Sequence, residues 1–148
     1  MSEALSLEES RELLALCKDG KLYQVEEWIR QGKSLKVHPK SRDEPLHASL
    51  RTGFFSLVEL LAKHTESQDL KNEVLLQAVR RQMPEIAMML VEQGADPTSV
   101  PFSDVVCAWD PGMMRYFMSK GCDPFKEDSF ARALSYGIRT ALGFYMDC

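Results

Sequence analysis

Hydrophobic residues come in short bursts at helical spacing, each cut off by a turn residue and answered by a second burst. The stretch Glu44 to His64, EPLHASLRTGFFSLVELLAKH, shows the pattern most fully. Pro45, Leu46, His47 and Leu50 mark a first segment; Phe55, Leu57, Val58, Leu60 and Leu61 mark a second. Spacings of three and four residues predict helices with one buried stripe each. Pro45 suits the first turn of a helix, where its missing N–H costs nothing. Gly53 supplies the tight reversal that lays the second helix antiparallel to the first.

The same arrangement recurs along the chain. Ser6-Leu7-Glu8-Glu9 fits a capping box and opens a helix to about Lys18. Asp19-Gly20 turns it into a second helix carrying Leu22, Val25, Trp28 and Ile29, closed by Gly32. Further helix pairs follow around Gln82, around Trp109-Asp110-Pro111 and around Gly137. The predicted units cover approximately residues 6–32, 44–64, 72–94, 102–121 and 129–148 of one repeat domain, 1–148. A lone helix pair cannot bury its apolar face, whereas stacked neighbours build a continuous core.

The run Glu44-Pro45-Leu46-His47, the glycine turn and Val58-x-x-Leu61 resemble the ankyrin repeat, with Glu44 and Ser49 replacing its threonine and alanine. The endings Gly94-Ala95-Asp96-Pro97 and Gly121-Cys122-Asp123-Pro124 look like the family's terminator. Turn positions 20, 53, 82, 109 and 137 lie 33, 29, 27 and 28 residues apart, the first interval matching the family period. The resemblance implies an all-α solenoid of stacked antiparallel helix pairs. It also implies projecting β-hairpin fingers between units. Lys33 to Asp43 is long enough for one. The connections at 65–71, 95–101 and 122–128 read as clipped to tight loops, with helix lengths kept. His47 is then a structural histidine within the turn network.

Composition narrows the chemistry. Apolar residues make up 45% and charged residues 27%, the balance of a folded soluble chain. No apolar run reaches the roughly 20 residues of a membrane span, and the amphipathic N-terminus lacks the order of a signal peptide. Cys17, Cys107, Cys122 and Cys148 show no zinc spacing and read as reduced thiols of a cytoplasmic protein. No catalytic, cofactor or metal motif emerges, so the expectation is a non-enzyme without cofactors. The carboxylate pairs Asp43-Glu44 and Glu127-Asp128 precede helices, where capping explains them. Met113, Met114 and Met118, with Tyr116 and Phe117, suit interior packing at helical spacing, or an adaptable contact surface.

Overlaying the repeats singles out a surface. The resemblance implies a concave groove lined by fingers and first helices, with the two residues before each turn exposed on it. Those pairs are Lys18-Asp19, Arg51-Thr52, Arg80-Arg81, Cys107-Ala108 and Ser135-Tyr136. The long finger adds Lys33, Lys36, Lys40 and Arg42, while Glu26, Glu27, Glu59, Glu85 and Glu92 fall on second helices. A chain of net charge −4 thus presents a basic inner face. The expected function is non-catalytic recognition of another protein through an acidic segment. Lys18, Lys36, Lys40, Arg42, Arg51, Arg80 and Arg81 form the contact set, with Trp109 as an aromatic anchor. The alternatives are a groove for nucleic acid or another anion, and a regulatory repeat domain cut from a longer protein. The closing stretch, IRTALGFYMDC, is too apolar for the uncovered end of a stack, which predicts continuation past Cys148 or self-association through the C-terminal helix.

Overall fold

The computed structural model describes residues 4–108 and 110–122. The fifth predicted unit, the closing apolar stretch and Trp109 lie outside them. The chain divides into two compact units, Met1–Ser67 and Gln68–Cys148.

The first unit holds α1 (Leu7–Lys18), α2 (Leu22–Arg30), α3 (Pro45–Thr52) and α4 (Phe55–His64). Helix α1 starts where the sequence predicts, on a complete capping box. The Glu9 N–H donates to Ser6 Oγ at 3.1 Å and the Ser6 N–H to Glu9 Oε1 at 3.4 Å. Each first helix packs on its own second helix; in addition α1 lies against α3, and α2 against α4. Leu13, Cys17, Val25, Leu46, Leu50, Leu57, Val58 and Leu61 form a closed core between them. Gly53 ends α3 with φ +71°, a left-handed conformation that carries the reversal into α4.

The second unit repeats this plan with α5 (Gln68–Arg80), α6 (Pro84–Glu92), a 3-10 turn (Pro97–Ser99), α7 (Phe102–Cys107) and α8 (Pro111–Ser119). Here α5 packs on α6 and α7, and α8 on α6 and α7. Val74, Leu75, Ala78, Leu90, Val105, Met113 and Phe117 are fully buried. The methionine run is interior: Met113 and Met114 are buried, and Met118 is half-buried. At the turn between α5 and α6 stands Gln82, with φ +59°, the one non-glycine among the described residues in the left-handed region.

All described elements are helical, without a strand, as the all-α reading requires. Three local expectations are corrected. The 33–43 segment is no projecting hairpin; it is fastened to the body of its unit. The Leu5 N–H donates to Lys36 O at 2.8 Å, Trp28 Nε1–H to Ser34 O at 2.9 Å, and the His38 N–H to Ser10 Oγ at 2.8 Å. Val37 is buried, so this apolar residue pins the strap inward. Next, the connection before α5 is shorter than 65–71, because the helix already begins at Gln68. Side chains of that first turn hold the end of α6. Gln68 donates to Gly94 O at 2.8 Å, Lys71 to Gln93 O at 3.0 Å, and Asn72 Oδ1 accepts the Asp96 N–H at 2.8 Å. Finally, helix length is not constant. Helix α7 has only 6 residues, since the 3-10 turn and Pro101 occupy the chain before it.

Candidate protein-binding surface

Helices α1 and α3 both carry a basic residue in the last turn, Lys18 and Arg51, where the helix macrodipole favours a cation. The strap leads back into α3 through Asp43, and its carboxylate meets both. Lys18 Nζ lies 3.8 Å from Asp43 Oδ2, and Arg51 Nη2 is bonded to the same oxygen. The other oxygen, Oδ1, accepts the Glu44 N–H at 2.9 Å. Lys36, Lys40 and Arg42 point to solvent from the strap and form no ion pair among the described residues. Lys33 sits over the Trp28 ring, 4.5 Å from its centroid, and helps cover that buried indole.

In the second unit Arg80 ends α5 and Arg81 follows it in the turn, both exposed. Arg80 Nε is 3.2 Å from Asp104 Oδ1 of α7, whereas Arg81 has no ion pair among the described residues. Opposite in character is the link between α6 and α8. Tyr116 donates its hydroxyl to Glu92 Oε1 at 2.7 Å, and Lys120 Nζ approaches the same carboxylate at 3.7 Å. The Tyr116 hydroxyl is pushed up to about 12, first by burial and then by that bond. Tyr116 and Lys120 hold the Glu92 carboxyl below its usual range.

Residues 13–100 match the family model for ankyrin repeats, in three copies. The chain belongs to the ankyrin-repeat family. No curated protein gave a significant match.

Ankyrin repeats are in general protein–protein interaction modules, and the family is typically non-enzymatic. In three of the predicted pairs before the turns both members are exposed: Lys18 and Asp19, Arg51 and Thr52, Arg80 and Arg81. The fourth pair departs. Ala108 is buried and Cys107 half-buried, because the short α7 brings its last residues into the packing. Ser135-Tyr136 and the proposed anchor Trp109 lie outside the described residues.

Exposed aromatics were missed at the turns of the first unit. Tyr23 is 81% exposed and Phe54 40%, and Phe55, counted among the apolar positions of its helix, is 38% exposed. They sit at the starts of α2 and α4, beyond the span over which those helices are covered. The signal was available: aromatic residues within three positions of a turn glycine have no preceding turn of helix to pack under.

Cys17, Cys107 and Cys122 form no disulfide among the described residues. Burial, with the Asp43 charge added, pushes Cys17 up to about 12, which makes it a poor nucleophile. No cluster of three or more metal-ligating side chains occurs among the described residues, and no helix there is long and apolar enough to cross a membrane.

Proposed function

We propose that this ankyrin-repeat chain binds an acidic segment of another protein through the basic residues of its first helices and of the 33–43 strap. The observation that carries the reading is the strap itself. Lys36, Lys40 and Arg42 stand exposed and unpaired on a segment whose backbone is already fixed to α1 and α2. Cations on a pre-ordered backbone lose little entropy when a partner arrives, and like charges held close attract an anionic chain from a distance. Lys18 and Arg51 extend this basic surface in the first unit, and Arg80 with Arg81 supplies a second cluster. Trp109 is proposed as an apolar anchor, and self-association through 138–148 as a further contact. A cytoplasmic setting belongs to the same proposal, since free thiols persist there.

The test is binding of a labelled octaglutamate peptide, by fluorescence anisotropy at low salt, beside a single-stranded oligonucleotide of equal charge. The expected result is peptide binding that the Lys36→Glu/Lys40→Glu/Arg42→Glu variant loses while keeping its helical circular dichroism. Glu26→Lys/Glu59→Lys on the second helices should leave affinity within about twofold. Undiminished binding by the strap variant overturns the reading. Preference for the oligonucleotide, with a steep loss in salt, replaces it with an anion groove.

A further inference from the structure

We infer that Lys18 and Arg51 form a two-cation cradle for a partner carboxylate, and that Asp43 occupies it in the free protein as an internal competitor. The inference rests on the acidic-partner reading above and names where one acidic side chain goes.

The geometry of the Asp43 contact is that of a poorly satisfied occupant. Both cations converge on a single oxygen, Oδ2, and Lys18 stands 3.8 Å away. The second oxygen is turned away and tied to the Glu44 N–H. Arg51 therefore meets Asp43 through one terminal nitrogen, and its fork is left unfilled. A carboxylate free to rotate can engage such a guanidinium through two parallel bonds, the stronger and more directional arrangement. Asp43 does not do so, because its Oδ1 is directed to the Glu44 N–H at the start of α3.

Solvent exposure keeps the internal contact weak enough to lose. The Lys18 and Arg51 side chains are 55% and 42% exposed and that of Asp43 21%, so the cations face water and the pairs are screened on that side. Yet Asp43 still cancels charge where the partner must dock. Acidic segments able to offer a bidentate carboxylate displace it, whereas diffuse anions gain little. Asp43 thus sets a threshold for binding and sharpens the choice of partner.

The experiment uses the full chain and the same octaglutamate probe. Asp43→Asn keeps an oxygen for the Glu44 N–H and removes the competing charge. Its affinity should rise about three- to tenfold over wild type. The charge-matched control Glu59→Gln, on α4, should change it by less than about twofold. Arg51→Lys keeps the charge but loses the fork, and should weaken binding about threefold or more. Affinity unchanged or lowered in Asp43→Asn overturns the inference, as does an equal gain in Glu59→Gln or an unaltered Arg51→Lys. These outcomes are separable from failure of the acidic-partner reading, which shows instead as retained binding in the Lys36→Glu/Lys40→Glu/Arg42→Glu variant.

Discussion

The His38 N–H donates to the hydroxyl oxygen of Ser10, 2.8 Å away, across 28 residues of sequence and onto a side chain with no solvent exposure. The same hydroxyl donates to Ser6 O at 2.8 Å, so one buried serine ties the strap to the first turn of α1. Ser10→Ala strands the His38 N–H against an apolar methyl. The expected loss is about 1–2 kcal/mol, read as a lower urea midpoint with unchanged slope.

The turns give a pair of opposite signs. Gln82 holds φ +59° with a side chain, so Gln82→Gly should raise stability by about 0.5–1 kcal/mol. At Gly53, φ +71°, an added Cβ would meet nothing within 4 Å. Gly53→Ala therefore isolates backbone strain from any clash, and should cost about 1–2 kcal/mol. A thermal midpoint that fails to drop counts against the left-handed turn at Gly53.

Alkaline pH should loosen the first unit through Cys17. Its folded thiol keeps its proton up to about 12, against an ordinary value of 9.0. Above pH 9 the unfolded chain sheds a proton that the folded chain retains, so stability falls as pH rises toward 12. By pH 10 the loss from this one group is about 1.4 kcal/mol. Urea midpoints at pH 8 and pH 10 should show that extra fall in wild type and its absence in Cys17→Ala.

The adjacent arginines at the end of α5 should separate by function. Arg80 is engaged by Asp104, and Arg80→Ala should cost at most about 0.5 kcal/mol of stability, as exposed pairs do. Arg81 carries no such partner among the described residues, and Arg81→Ala should leave the melting curve unmoved. In octaglutamate binding the order reverses. Arg81→Ala should cause the larger loss, because its charge is not already offset by a neighbouring carboxylate.

Helix pairs were legible because their signals are local. A capping box at Ser6, prolines at the starts of α3, α6 and α8, and left-handed turns at Gly20 and Gly53 each act within one turn of chain. Where the chain meets residues far along the sequence, the reading failed. The strap was taken for a hairpin because its attachment to Ser10 depends on a hydroxyl that looks like any other polar helix position. The start of α5 was placed late because Gln68 and Lys71 read as loop residues until the end of α6 lies beside them. The charge pattern gave the basic residues and their exposure. It gave nothing of the unequal pairing among them, since Asp43 and Asp104 reach Arg51 and Arg80 only through the fold.

Trypsin measures a further property of the strap. Four of its peptide bonds, after Lys33, Lys36, Lys40 and Arg42, have the side chain that the protease selects. Cleavage also requires several residues to be drawn out into an extended substrate, and loops that cannot yield are cut slowly. The bonds after Lys33 and Lys36 cannot be drawn out without releasing Leu5, Ser10 and Trp28 from Lys36, His38 and Ser34, whereas those after Lys40 and Arg42 lie past the last of these anchors. A cut after Lys36 therefore reports that the strap has already parted from Leu5 and Ser10, while a cut after Lys40 or Arg42 reads only the local turn.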